Sequence, residues 1–215
     1  MTSFDLQLLY RVRQNPDAFI CEPSFSLLDV FHTGYGLFTS STKRLITVDF
    51  RGWLIEKYAL QIGEAANYSH VIRLLSKNEG EAYQLFWREL EECVKLLSPE
   101  PKNITCQKNA IQPVSGILNL FHRYLRAYLD PYSIRVLRAM MDGYRLKLQE
   151  HGASELEDFD FHAFEQWLTV RFHVPAGTRW ENIILYQAQW AEQDAMGEFL
   201  RLHRLFLELP DSESA

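Results

Sequence analysis

The sequence predicts an all-α, mostly helical fold: two degenerate copies of one helical unit packed together, with room for a minor short strand. Three observations carry this prediction. Apolar residues recur at helical spacing along most of the chain. Clusters of Pro, Gly, Asn and Ser separate those stretches. The same motifs then return, in the same order, in the second half. With 215 residues, 47% of them hydrophobic, the chain suits one large domain or two small ones and has enough apolar surface for a core.

Thr2-Ser3-Phe4-Asp5 offers a helix N-cap before Leu6, Leu8, Leu9 and Val12, and this helix stops before Asn15-Pro16. Asp17 to Pro23 reads as a loop or extended piece. Ser24 or Ser26 then caps a helix bearing Phe25, Leu28 and Phe31, with Gly34-Tyr35-Gly36 near its end. Leu45-Ile46-Thr47-Val48 is β-branched enough for a short strand, but no obvious partner accompanies it. Asp49 caps a helix with Phe50, Trp53, Leu54 and Tyr58. Tyr68, Val71, Ile72 and Leu75 mark the next helix. Glu79 to Leu97 is a long amphipathic helix with one broad apolar stripe. Ser98 to Ser115 contains Pro99, Pro101 and Pro113 and reads as a linker. Helical patterning resumes with Ile117, Leu118, Phe121, Leu125 and Leu129.

The repeat is read from three motifs. Phe25 to Tyr35 aligns with Ile134 to Tyr144, and Gly-Tyr closes both segments 109 residues apart (Gly34 and Gly143). Trp53-Leu54 aligns with Trp167-Leu168, 114 apart, and Tyr58 falls opposite Phe172. Glu79, Ala82 and Phe86 match Glu192, Ala195 and Phe199, 113 apart. The inserted length sits in Gln149 to Asp160, an acidic stretch that reads as a loop. The expected organisation is therefore residues 1–97 as the first unit, 98–115 as a linker and 116–210 as the second unit, as two lobes or as one combined core.

Composition removes several function classes. A net charge of −6 opposes general binding to a nucleic-acid backbone, which needs clustered Lys and Arg. No run of about 20 apolar residues is present, so no membrane span is expected. The N-terminus lacks the basic and apolar regions of a signal peptide. Cys21, Cys93 and Cys106 are scattered and read as thiols of a reducing cytoplasm. The seven histidines include no HExxH, and no pair with metal-ligand spacing sits beside a carboxylate, so no metal or cofactor is expected. No phosphate-binding Gly-rich loop and no Gly-x-Ser-x-Gly elbow appears.

The remaining candidates are acidic. Glu89 and Glu92 on the long helix, with Glu155, Glu157, Asp158 and Asp160 in the predicted loop, form a negative surface that would meet a basic protein partner. Arg135 with Arg138, and Arg201 with Arg204, sit three apart on helices and are expected to pair with nearby acids. Trp180 and Trp190 are expected in the core. For an enzymatic alternative, the groups in a groove between the halves would be Glu56, His70, His162 and Glu165.

Arg11-Val12-Arg13-Gln14-Asn15-Pro16, Phe19-Ile20, Ser26-Leu27-Leu28 and Gly34-Tyr35 together resemble an opening found in cytosolic immunity proteins of bacterial polymorphic toxins. The resemblance covers about a sixth of the chain, and Asp17-Ala18 stands where that pattern has Gly-Met. It implies a non-enzymatic protein that binds a toxin domain and occludes its active site. A helical regulatory or adaptor module is the alternative binding function.

Overall fold

The computed structural model describes residues 2–4, 6–37, 44–63, 66–97, 102–103, 118, 133–150 and 160–208. It is all-α in character. Helix α1 (Leu6–Gln14) buries Leu8, Leu9 and Val12. Pro16 ends it and opens α2 (Pro16–Phe19), because a proline at the first helical position loses no hydrogen bond. The stretch expected as a loop from Asp17 thus begins as a helical turn. Cys21, at φ 68°, reverses the chain toward α3 (Phe25–Leu37). Ser24 caps α3 through its carbonyl to Leu28 N–H (3.1 Å) and its hydroxyl to Leu27 N–H (3.4 Å).

A small antiparallel ribbon supplies the partner that the sequence left unnamed. Strand β2 (Arg44–Val48) pairs with β1 (Thr2–Phe4), Thr2 opposite Val48, and with β3 (Lys102–Asn103), Arg44 opposite Asn103. Thr2 to Phe4 therefore form a strand where a helix cap was expected. Asp49 caps α4 (Phe50–Lys57) by accepting from Gly52 N–H at 3.0 Å. Asn67 and His70 form a capping box at α5 (Tyr68–Leu75). Helix α6 (Glu79–Leu97) has the predicted bounds.

In the second half, Ser133 caps α7 (Ile134–Glu150) as Ser24 caps α3, with bonds of 3.1 and 3.4 Å to Leu137 and Val136 N–H. Helix α8 (Phe161–Phe172) is capped by Asp160. Helices α9 (Trp180–Gln187) and α10 (Glu192–Leu207) complete the described chain. Gln149 and Glu150, expected in a loop, belong to α7, and the rest of that stretch up to residue 159 lies outside the described residues. Most of the expected linker and most of the helix predicted from Gly116 lie outside the described residues; Leu118 is helical and buried.

The same contacts recur in both halves. Phe50 stacks on Trp53 (centroids 6.2 Å, 13° between planes), and Phe164 on Trp167 (5.9 Å, 23°). Phe50 meets Phe86 edge-on at 89°, as Phe164 meets Phe199 at 89°. Tyr68 tilts 39° against Phe86, and Trp180 tilts 39° against Phe199. These rings bury the short α4–α5 and α8–α9 pairs against α6 and α10. Buried residues of both halves belong to a single apolar cluster.

Helices α3 and α7 cross at the centre. A Cβ on Gly34 would lie 2.7 Å from the Met140 carbonyl carbon, and one on Gly143 would lie 2.9 Å from the Tyr35 nitrogen and 3.0 Å from the Phe31 carbonyl carbon. Gly34-Tyr35-Gly36 lies near the end of α3, as expected, whereas Gly143-Tyr144 lies in the middle of α7. Both glycines let the two backbones touch.

The first residues of α6 and α10 hold the starts of α3 and α7. Glu79 accepts from Ser26 N–H (2.9 Å), Ser24 Oγ (3.1 Å) and Ser26 Oγ (2.6 Å). Glu192 accepts from Ile134 N–H at 2.9 Å. A carboxylate there satisfies free N–H groups and meets the positive end of the helix dipole. Glu79→Ala is expected to lower the unfolding free energy by about 1 kcal/mol. Glu79→Gln should recover part of it, as measured by urea denaturation.

Candidate functional site

The predicted acidic surface is only partly a surface. Glu89 has 0% of its surface exposed. It accepts from Lys57 Nζ (2.7 Å), Tyr58 Oη (2.8 Å) and Arg88 Nε (2.8 Å). Burial alone would raise its carboxyl, but these donors outweigh burial and hold it below the usual range. Glu89 is thus a buried, satisfied anion, not a contact residue. Glu92 is half-exposed and bonds to the same Lys57 at 2.6 Å. Asp160 is exposed, with its carboxylate turned to the His162 and Ala163 N–H groups of α8. Glu155, Glu157 and Asp158 lie outside the described residues.

Three of the four groups considered for an enzymatic groove are engaged separately. His70 completes the α5 capping box. His162 meets Gln166 at 3.0 Å. Glu165 accepts from Trp180 N–H at 3.1 Å and so caps α9 from α8. Glu56 is exposed on α4.

A polar seam lies where α7 meets the α2–α3 connection and α9. Arg138 donates to Asp142 (3.0 Å), to Cys21 Sγ (3.2 Å) and to Glu181. Glu181 is 1% exposed, and its Oε2 has no hydrogen-bond partner among the described residues. Burial raises the Glu181 and Asp142 carboxyls, and Arg138 pulls them only partly back. Burial also raises the Cys21 thiol, which removes thiolate character and suits a structural role. In the first half the equivalent position is Asp29, which accepts from Tyr68 Oη and Ser69 Oγ at 2.8 Å each. The two halves share ring contacts and differ in their buried charges.

The surface that breaks local rules is the α9–α10 turn. Gln189 and Trp190 both adopt positive φ, 51° and 66°. Neither is glycine, and each such residue costs about 1–2 kcal/mol. The turn is closed by Gln189 N–H to Tyr186 carbonyl (3.1 Å) and Trp190 N–H to Leu185 carbonyl (2.7 Å). Trp190 is 57% exposed and Tyr186 63%, whereas Trp180 is buried. The expectation that both tryptophans belong to the core is corrected for Trp190. The α10 N-cap, Ala191, supplies no side-chain bond.

The equivalent α5–α6 turn has none of this strain. Asn78 accepts from Glu81 N–H at 2.9 Å, and Lys77 stands where the second half has Trp190. Beside the strained turn is a shallow depression of about 490 Å³, lined by Gln187, Ala188, Gln189, Ala191, Asp194 and Glu198. Helical periodicity could not find this site, because it reports buried faces and not turn geometry. An N-cap without a side-chain bond, a strained backbone and an exposed large ring all cost stability at this one turn. Gln189→Gly with Ala191→Asn is therefore expected to stabilise the protein by about 1–2 kcal/mol in urea melts.

Among the described residues, no helix is long and apolar enough to cross a membrane. Also among them, no group of three or more His, Cys, Asp or Glu is placed to hold a metal ion. No family model, no curated protein and no solved structure matches the chain.

Proposed function

We propose that this chain is a non-enzymatic interaction protein, an immunity protein that neutralises a toxin domain by covering its active site. The observation that carries the binding reading is Trp190, an exposed indole on strained backbone beside exposed Tyr186. Tryptophan and tyrosine dominate interface hot spots because they bury large rigid area and still carry a polar handle. The N-terminal resemblance supports the choice of immunity. Its residues serve the scaffold: Ile20 and Leu28 are buried, Ser26 binds Glu79, and Gly34 sits at the helix crossing. The recurring ring contacts support a duplicated ancestral unit as the origin of that scaffold.

The test is capture of the tagged chain from the cells that produce it, wild type against Trp190→Ala. Co-expression of the captured partner follows, with growth as the readout. A toxic partner whose effect is relieved by wild type, and about 30-fold less effectively bound by Trp190→Ala, is the expected result. A captured partner that is a regulatory protein without toxicity would replace immunity with the adaptor function. Equal capture by both chains would remove Trp190 from the interface.

A further inference from the structure

We propose that the depression beside Trp190 receives an arginine side chain of the partner protein; this rests on the binding function proposed above. The depression carries two carboxylates, two carboxamides and no Lys or Arg in its lining. The two carboxylates differ. Glu198 is committed to Arg201 through both oxygens, at 2.8 and 2.5 Å. Asp194 is exposed and makes no hydrogen bond or ion pair among the described residues. The protein as a whole carries −6. Cationic side chains are therefore drawn to the site, and anionic ones are repelled by Asp194 despite the nearby start of α10.

Arginine is favoured over lysine for two reasons. A planar guanidinium bonds a carboxylate through two N–H groups while its remaining N–H groups meet the Gln187 and Gln189 amides. Its flat face also lies well on an indole, and Trp190 stands in the chain between two lining residues, Gln189 and Ala191. The α5–α6 turn offers an internal contrast: exposed Leu74 and Lys77 take the places of Tyr186 and Trp190, so that turn lacks the ring, and Glu81, in the place of Asp194, already accepts from Lys77 N–H at 2.7 Å.

The experiment measures anisotropy of dye-labelled arginine-rich, lysine-rich and glutamate-rich peptides titrated with the full chain, each variant first checked for folding by its urea midpoint. The arginine peptide should bind best and the glutamate peptide should not bind. Asp194→Asn and Trp190→Ala should each weaken arginine binding about tenfold. Asp17→Asn, which removes the same charge from exposed α2, should not. Equal weakening by Asp17→Asn and Asp194→Asn would overturn the proposal, since net charge alone would then explain the binding. Binding of the glutamate peptide would overturn it too. Arginine binding at Asp194 without any captured toxin would instead remove the immunity function and keep this chemistry. Trp190-dependent capture with no arginine preference would do the reverse.

Discussion

Gly143→Ala is expected to destabilise the protein by roughly 3 kcal/mol or more, a cost set by backbone atoms that cannot step aside. The added methyl would lie inside the envelope of the Phe31 carbonyl and against the Tyr35 nitrogen. Both belong to a helix whose own hydrogen bonds fix them. Relief requires α3 and α7 to part along their contact, which opens space around Phe31, Tyr35, Met140 and Tyr144, all at most 4% exposed. Gly34→Ala should cost a similar amount, because its methyl meets the Met140 backbone in the same way. The double variant should cost clearly less than the sum, since separation of the helices for one methyl makes room for the other. Urea denaturation of the two single variants and the double variant measures this. Single variants within about 0.5 kcal/mol of wild type would show that the helices do not touch at these glycines.

Arg138→Ala should be the most damaging change to a charged side chain, at about 3–5 kcal/mol, because it leaves the buried Glu181 carboxylate without its cation and leaves Asp142 with only Arg145, at 3.9 Å. Glu181 and Asp142 would remain in a site where burial already holds both carboxyls above their usual range. Glu181→Gln should cost less, since an amide carbonyl still accepts from Arg138 and no lone charge remains. The pH dependence has a definite sign. A carboxyl raised on folding binds its proton more readily in the folded state, so its destabilising share is relieved as pH falls through the folded pKa toward the unfolded one. Without Arg138 both carboxyls rise further, and the deficit of Arg138→Ala relative to wild type should shrink on mild acidification. Glu79 and Glu89 work the other way. Their carboxyls are lowered by hydrogen bonds that outweigh burial, so the stability they contribute is lost as pH falls through their folded pKa values. The informative quantity is therefore the difference between variant and wild type at each pH. A deficit that grows in acid would contradict the assignment of the seam.

Much of the scaffold was legible because it is local. Helix α6 follows from an apolar stripe that repeats every three to four residues, and the Asp49 cap from a short acceptor placed before an apolar run. The motif offsets matched residues that occupy corresponding places in two sets of stacked rings. The strand at Leu45 was legible in composition, but its partner was not, because pairing joins residues more than 40 positions apart.

The candidate site was scarcely legible. Glu89 and Glu92 look alike on a helical wheel, yet one is buried among Lys57, Tyr58 and Arg88 and the other is half-exposed. Trp180 and Trp190 are equally hydrophobic, yet one fills the ring cluster and the other stands in solvent on a left-handed turn.

What the sequence determined by itself was most of the first-half helices, the Asp49 cap and the faces those helices must bury, since propensity, capping and periodicity act within a few residues. Only tertiary structure decided what covers each face. It made Gly34 and Gly143 a helix crossing, turned Glu89 inward, gave Arg138 its carboxylates and left Trp190 uncovered. Those outcomes depend on distance and dielectric between segments far apart in the chain, which no local pattern encodes.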